Sequence, residues 1–134
     1  MGSKPALTVP VIHETEVEEL DLPGRHLRWV VSPEGLPAKD CSACVIRVAP
    51  GDKVRPAHSH PHGEEVIYII RGEGRVMVEG RVSPVRTGSV VLFPRGAVHM
   101  LHNTGAEEMK VVCFFAPSTN LDNYKMYEGV DFPD

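Results

Sequence analysis

The sequence predicts an all-β fold, a small sandwich or barrel built from many short strands. Three observations predict it. Short segments rich in β-branched and aromatic residues follow one another closely, with Gly, Pro and charged residues between them. Twelve glycines and twelve prolines provide turns at short intervals. Strands do not alternate with long helices, which disfavours a parallel α/β sheet.

The chain is expected to form one domain, since 134 residues allow a single hydrophobic core. We expect an N-terminal arm over 1–25, a barrel over 26–116 and a polar tail over 117–134 that packs on the barrel or on a neighbouring subunit. The arm contains HETEVEEL at 13–20, which could form a short acidic helix or stay extended. The barrel strands are expected near 26–31, 43–48, 53–60, 65–71, 74–79, 81–86, 89–93, 97–103 and 109–115.

Charge and hydropathy narrow the range of partners and locations. The formal net charge is −4 and there is no long basic run, which argues against nucleic acid or an anionic membrane surface as the main partner. No apolar stretch approaches the roughly 18 residues of a membrane span, and the N-terminus lacks the pattern of a secretion signal. A cytoplasmic protein is therefore the expectation.

The three cysteines are expected to be thiols and not part of a disulfide framework. Cys41 and Cys44 form a C-x-x-C, but a strand there would point the two side chains to opposite faces. Cys113 lies within the apolar segment VVCFF and is expected to be a buried strand residue.

The stretch PAHSHPHGEE at 56–65 carries an unusual density of potential metal ligands. His58 and His60 are two positions apart, so in a strand both imidazoles point to the same face. His62 falls in the Pro-His-Gly turn that follows, where a role at the entrance of a site is more plausible than ligation. A chain reversal there could bring the carboxylate of Glu65, or of Glu64, back beside the two histidines.

A third imidazole ligand would have to come from a distant part of the chain. The segment GSVVLFPRGAVHMLHN at 88–103 provides His99 at the start of an expected strand, after a turn at Pro94 and Gly96. His102 has the opposite parity to His99 and should face away from it.

These two segments resemble the motifs of the cupins. The first cupin motif, G-(X)5,6-H-X-H-(X)3,4-E-(X)6-G, is matched by Gly51, His58, His60, Glu65 and Gly72. The second motif, G-(X)5-P-X-G-(X)2-H-(X)3-N, is matched without departure by Gly88, Pro94, Gly96, His99 and Asn103. The resemblance covers about residues 43 to 116. It implies a double-stranded β-helix, a jelly-roll barrel that holds a metal near its mouth.

The resemblance also implies a ligand set and a cofactor. By position, the ligands are His58, His60, Glu65 and His99, with Glu64 as the competing carboxylate because the motif allows either spacing. The cofactor would be one divalent transition metal per chain, namely Fe, Mn, Ni, Cu or Zn, with two coordination positions left for water, substrate or dioxygen.

Alternation along the strand that begins at Glu65 predicts which side chains face the core. Ile67 and Ile69 should point inward, and Val66, Tyr68 and Ile70 should point to the other face. That second face is also apolar, so we expect it to meet outer strands or a second subunit, and a homodimer is the expected assembly.

The expected function is that of a metal-dependent cupin enzyme, a dioxygenase acting on a small oxygenated organic molecule. The alternatives are a metal-dependent isomerase, lyase or decarboxylase, a non-catalytic binder of a small ligand, and a purely structural metal. The sequence identifies no catalytic residue beyond the ligands. Arg47 and Arg75 could bind a substrate carboxylate if they faced inward, but such arginines more often lie on solvent faces.

Overall fold

Two antiparallel β-sheets form the body of the protein in the computed structural model, which describes residues 8–134. The first seven residues of the expected arm lie outside the described residues. In chain order the strands are β1 (Leu20–Leu22), β2 (Arg25–Val31), β3 (Ser42–Val48), β4 (Ala57–Ser59), β5 (Glu64–Arg71), β6 (Glu73–Val78), β7 (Arg81–Arg86), β8 (Val90–Phe93), β9 (His99–Asn103), β10 (Met109–Ala116) and β11 (Lys125–Tyr127). Two single-turn 3₁₀ helices, Glu14–Glu16 and Leu121–Asn123, lie before β1 and before β11.

The two sheets have six and five strands. The six-stranded sheet has the order β1-β2-β3-β10-β5-β8, and the five-stranded sheet has the order β11-β4-β9-β6-β7. The expected all-β jelly-roll architecture is thereby confirmed. Neighbours in the sheets are often distant in sequence, as β3 and β10 are, so the fold depends on long-range pairing.

The strand expected over 53–60 is shorter than predicted. Only Ala57–Ser59 forms a regular strand, and Lys53 makes an isolated bridge to His102. Pro56 has no N–H and cannot donate to a β-ladder, so the segment before it leaves the regular pairing. Strands β1 and β11, each three residues long, were not predicted.

The core between the sheets is filled by the alternating side chains of the strands. Ile67 and Ile69 are at most 1% exposed, as predicted, whereas Val66, Tyr68 and Ile70 are 37–43% exposed on the outer face. The other buried apolar side chains of this core come from both sheets and include Leu27, Val48, Val76, Leu101, Met109 and Val111. Met77 and Met100 belong to a separate buried cluster with Ala57 and Phe132. A continuous core of this kind fixes the strand register, because a shift by one residue would turn these side chains to water.

Both ends of the described chain are paired to the body. On the N-terminal side, β1 pairs with β2, and the carboxylate of Glu19 accepts from Arg47 at 3.0 and 2.6 Å. On the C-terminal side, β11 pairs with β4. Further along, Phe132 is buried against the guanidinium of Arg75, 4.3 Å from the ring centroid. Within residues 8–134, no helix is long and apolar enough to cross a bilayer.

Two residues of the second motif have structural roles. The buried Asn103 side chain donates from Nδ2 to the carbonyls of Val48 and Glu107, at 2.9 and 2.8 Å, and so satisfies backbone at a strand end. Gly96 has a φ of +74°, which favours glycine. Its N–H donates to the carbonyl of His60 at 3.1 Å, so the turn of the second motif is tied to a histidine of the first.

Candidate metal centre

Four buried side chains from both sheets converge on one point. His58 lies on β4, His60 follows that strand directly, His99 begins β9, and Glu65 lies near the start of β5 in the other sheet. One donor atom from each of the four lies within 4.8 Å of the others. The structure therefore brings together all four residues that the sequence indicated.

The three imidazoles form a compact triangle. His58 and His99 are directly opposed on the paired strands β4 and β9, with ring centroids 4.5 Å apart. The centroid of His60 lies 5.1 Å from each of the other two. Phe93 stacks on His99 at 3.9 Å between centroids, and this contact restricts the orientation of the His99 ring.

Backbone carbonyls set the tautomers of two of these histidines. Nδ1 of His58 lies 3.2 Å from the carbonyl of Pro56, and Nδ1 of His99 lies 3.0 Å from the carbonyl of Ala97. A carbonyl can only accept, so each Nδ1 carries the proton and each Nε2 keeps a lone pair. This is the arrangement typical of metal-ligating histidines, since the donated N–H orients the ring.

Glu65 supplies the negative charge of the cluster. Its Oε1 lies 2.9 Å from Nε2 of His60 and 3.0 Å from Nε2 of His99. Burial raises the pKa of this carboxyl, but the contacts with His60 and His99 outweigh burial, and the net pKa lies below its usual range. Burial also lowers the pKa of His58 to about 3, so this imidazole is neutral at physiological pH.

The donor atoms fit a transition metal. Nε2 of His99 is buried and, within residues 8–134, has no hydrogen-bond partner, although Glu65 Oε1 is only 3.0 Å away. With the proton on Nδ1, Nε2 of His99 and the carboxylate oxygen of Glu65 are both acceptors, as expected for two atoms directed at a common cation. Because a buried unpaired nitrogen is costly, a bound metal would stabilise the site. Three imidazoles and one carboxylate suit Fe, Mn, Ni, Cu or Zn.

The other polar residues of the two motifs do not enter the cluster. Glu64 is exposed, in contrast to Glu65, which is 5% exposed. His62 is exposed in the turn between β4 and β5, and Tyr68 lies on the outer face. His102 faces away, as predicted, and accepts a hydrogen bond at Nδ1 from Nε of Arg75 at 2.9 Å.

A mostly apolar cavity of about 410 Å³, including its opening, adjoins the cluster. Its wall includes the ligands His58, Glu65 and His99 and two residues that the sequence analysis did not single out, Arg25 and Tyr124. Tyr124 stacks on His58 with ring centroids 4.8 Å apart and meets His60 edge-on at 4.4 Å. The part of it that can hold the centre of a water molecule amounts to about 30 Å³, which is room for about two water molecules or a few atoms of a ligand.

Sequence reasoning could have found one of these two residues. Arg25 and Leu27 have the same parity on β2 and both are buried, but the predicted strand began one residue too late and left Arg25 in the arm. Tyr124 lies in the tail, between a 3₁₀ turn and the three-residue β11, where no periodicity indicates a direction.

Two buried thiols also line the cavity. Cys44 on β3 and Cys113 on β10 are directly opposed across the two strands. The contact with Cys44 and burial raise the pKa of the Cys113 thiol, so it keeps its proton at neutral pH. Cys41 is exposed while Cys44 is buried, in agreement with the predicted opposite faces.

The two arginines considered for substrate binding are used elsewhere. Arg47 pairs with Glu19 and Glu108, its Nη1 lying 2.7 Å from Oε2 of Glu108. Arg75 lies on β6 of the five-stranded sheet, where it contacts His102 of β9 and Asp134 of the tail. The cation that lines the cavity is Arg25.

The geometry agrees with what comparison with known proteins finds. The family model described as "Cupin domain" matches residues 44–115, which include all four residues of the cluster. The polyketide synthase CurC of Streptomyces cyaneus is 27% identical over 107 residues, covering 80% of this chain and 69% of that protein. Oxalate oxidase GF-3.8 of Triticum aestivum is 35% identical over 78 residues, covering 52% of this chain and 34% of that protein.

A solved structure shows the same fold. The formate complex of Lactobacillus farciminis oxalate decarboxylase superposes with a TM-score of 0.76 at 23% identity, covering 85% of this chain and 34% of that one. The chain thus spans about a third of the length of each of the two oxalate proteins. Arg25 and Tyr124 lie outside the segment matched by the family model.

Proposed function

Because this chain belongs to the cupin family, we propose that it is a metal-dependent enzyme, a dioxygenase that acts on a small oxygenated organic molecule. The observation that carries the proposal is the convergence of four buried donors within 4.8 Å of one another, beside a mostly apolar cavity. Donors buried at such a cavity are arranged for chemistry on a bound molecule.

The proposed ligands are His58, His60, Glu65 and His99, and the proposed cofactor is one divalent Fe, Mn, Ni, Cu or Zn per chain. Four protein ligands would leave positions for substrate on a six-coordinate metal. When bound, such a metal acts as a Lewis acid and, for the redox-active members, supplies dioxygen chemistry. Glu65 would offset part of its charge, and the hydrogen bonds from His58 and His99 to backbone carbonyls would hold the ring orientations.

The other side chains of the cavity are suited to binding and to exclusion of water. Beside the ligands, its titratable wall residues are Arg25, Cys44, Cys113 and Tyr124. Burial raises the pKa of Tyr124, and Cys113 is also a protonated group, so both remain neutral at physiological pH. This supports oxygen insertion, in which the metal carries the chemistry, over an isomerisation that requires a protein base.

The second candidate is decarboxylation or related lyase chemistry. It is favoured by the likeness to oxalate decarboxylase, while the likeness to oxalate oxidase favours oxygen-dependent chemistry. Both proteins are named for oxalate, a small oxygenated molecule that can chelate a metal. The two candidates share the metal centre and differ in whether dioxygen is consumed.

Elemental analysis of protein purified without chelators, followed by oxygen electrode measurements, tests the proposal. We expect about one transition metal per chain, since the donor set is single. Oxalate, a 1,3-diketone and a catechol are the probes for oxygen uptake by the metal-loaded protein. Carbon dioxide release from oxalate without oxygen uptake would favour the second candidate. Failure to take up metal on reconstitution would overturn both.

We also propose that the protein is a homodimer that pairs through the outer face of the six-stranded sheet. Strands β8, β5 and β10 place large apolar side chains next to one another on this face, 37–66% exposed: Val66, Tyr68, Ile70, Val90, Leu92 and Phe114. Leu92, Val66 and Phe114 form one row across the three strands. Contiguous patches of this kind are rare on monomers, and a second copy offers a self-complementary apolar surface.

Analytical ultracentrifugation tests the assembly. Leu92→Arg should convert the dimer to a monomer, because it buries a charge in the apolar contact. Val130→Arg, on the exposed tail, is the matched control and should leave the dimer intact. A wild-type protein that sediments as a monomer at micromolar concentration would overturn this proposal.

We further propose a cytoplasmic location, as expected from the sequence, and the three cysteines, which form no disulfide, are compatible with it.

A further inference from the structure

Arg25 is a buried cation in the wall of the cavity beside the metal centre. It is 7% exposed, and it shares the inward face of β2 with Leu27. Its side chain and the carboxylate of Glu65 line the same cavity. Arginine is among the residues that are almost never buried unless they are paired, so its position requires an explanation.

The hydrogen bonds of Arg25 use only part of its guanidinium. Nη1 donates to the carbonyls of Pro23 and Arg55, at 3.1 and 3.0 Å. In the part of the chain that the structure describes, Nε and Nη2 donate to no protein atom, and no carboxylate lies within 4.0 Å of the guanidinium. The ion pairs of Glu65 are those with His60 and His99.

We propose that Arg25 binds a carboxylate of the substrate through Nε and Nη2, next to the metal, so that the enzyme acts on small oxygenated carboxylic acids. The inference rests on the proposed function, which it deepens by naming the substrate class. Nε and one N–H of Nη2 form a planar fork whose geometry matches the two oxygens of a carboxylate. Nη1, held by two carbonyls, fixes the direction of that fork.

The charges of the site support an anionic ligand. A divalent metal, the single carboxylate of Glu65 and the guanidinium of Arg25 leave a surplus of two positive charges in a cavity with mostly apolar walls. Burial lowers the pKa of Arg25, as expected for a cation withdrawn from water, yet an arginine remains protonated. An anion placed between metal and guanidinium would offset this cost.

The position of Arg25 in the chain is consistent with a role in selectivity. The proposed metal ligands lie within residues 44–115, the segment matched by the family model, whereas Arg25 and Tyr124 come from β2 and the tail. Tyr124 covers His58 and lines the same cavity, so both residues limit what can reach the metal. The alternative is that Arg25 only braces the backbone at Pro23 and Arg55.

Isothermal titration calorimetry on zinc-loaded protein distinguishes these roles. The probes are three small carboxylates, each paired with its neutral amide: acetate with acetamide, glycolate with glycolamide, and malonate with malonamide. The variants are Arg25→Gln, Arg25→Lys and Arg81→Gln. Arg81 is exposed on β7, and its substitution changes the net charge by the same amount, so it controls for long-range electrostatics.

We expect at least one carboxylate to bind wild-type protein about tenfold or more tightly than its amide. This preference should disappear in Arg25→Gln, persist in part in Arg25→Lys and stay unchanged in Arg81→Gln, with zinc content near one per chain throughout. If no carboxylate binds wild-type protein better than its amide, the proposal is overturned whatever the variants do. The same holds if Arg25→Gln is folded and keeps the preference.

The zinc content separates this proposal from the proposed function. A protein that takes up no metal contradicts the metal centre, whereas stoichiometric zinc without any preference for carboxylates contradicts only the role of Arg25. Circular dichroism and the thermal midpoint of each variant show whether it is folded. If Arg25→Gln does not fold, the comparison of Arg25→Lys with wild type decides, since lysine keeps the charge but loses the fork. An unchanged preference in Arg25→Lys would then overturn recognition by the fork.

Discussion

His58 and His99 are directly opposed residues of the antiparallel strands β4 and β9, with ring centroids 4.5 Å apart. They belong to two sequence motifs that are far apart in the chain. The proposed centre therefore depends on a strand pairing between the motifs, and each ligand can be tested against a neighbour that the same backbone directs elsewhere.

The substitution His99→Ala is expected to remove a metal ligand while leaving the strand in place. Metal affinity should fall at least about tenfold, because the remaining donors no longer surround the ion. Elemental analysis after dialysis measures this. His62→Ala, in the exposed turn, should keep wild-type occupancy. Stoichiometric metal in His99→Ala would show that the proposed ligand set is wrong.

The adjacent residues Glu64 and Glu65 provide a matched test of the carboxylate ligand. Glu65→Gln should lower metal affinity at least about tenfold, since a neutral amide cannot offset the charge of a divalent ion. Glu64→Gln, at an exposed position, should change it by less than about twofold. Competition with a chelator of known affinity gives both values. Equal losses of metal affinity in the two variants would contradict the assignment of Glu65 as the carboxylate ligand.

Val85 and Val82 on β7 test the direction of side chains in the five-stranded sheet. Val85 is 6% exposed and Val82 is 42% exposed. Val85→Ala should lower the free energy of unfolding by about 1–3 kcal/mol, because it removes buried methyl groups and leaves a cavity. Val82→Ala should lower it by about 0.5 kcal/mol or less. Urea denaturation of the metal-free protein measures both, and the reverse order would mean that the register of β7 is wrong.

The ion pair between Glu19 and Arg47 should make stability depend on pH. The hydrogen bond from Arg47 lowers the pKa of Glu19, against a smaller opposing effect of burial. A carboxyl with a lowered pKa stabilises the fold above its unfolded pKa of about 4.3, and this contribution is lost as the pH falls through the folded value. Arg47→Gln should therefore cost about 0.5–1 kcal/mol at pH 7, a value reduced by the partial exposure of the pair.

The difference between Arg47→Gln and wild type should shrink as the pH falls below the unfolded value and through the lowered pKa of Glu19. Urea denaturation at several pH values from neutral down to pH 3 measures it. Arg81→Gln is the charge-matched control, because Arg81 is exposed on β7 and forms no ion pair within residues 8–134. A difference that stays constant down to pH 3 would mean that Arg47 acts through packing and not through Glu19.

The sequence predicted the parts of this protein that depend on local spacing. Alternation placed Ile67 and Ile69 in the core, and the same parity distinguishes the buried Glu65 from the exposed Glu64. The H-x-H spacing directed His58 and His60 to one side, and motif spacing singled out His99. The predicted directions follow from the two-residue period of a strand, whereas Glu65 and His99 were assigned as ligands by the resemblance to the cupin motifs, with Glu64 as the alternative carboxylate.

Local spacing failed where short segments take their conformation from distant partners. Strands β1 and β11 have three residues each and are too short for a period to be visible, so their pairing with β2 and β4 supplies the information. The break before Ala57 has a local cause instead, because Pro56 has no N–H to donate to a β-ladder, and the predicted strand over 53–60 did not allow for it.

By itself, then, the sequence determined the all-β class and the direction of the core side chains, and its resemblance to the cupin motifs indicated the four candidate ligands, with Glu64 as the alternative to Glu65. Only the tertiary structure decided that Arg25 and Tyr124 line the cavity and that Arg47 and Arg75 do not. The physical reason is that a strand's period fixes the face to which a side chain points. What that face meets is fixed by the pairing and packing of segments far apart in the chain.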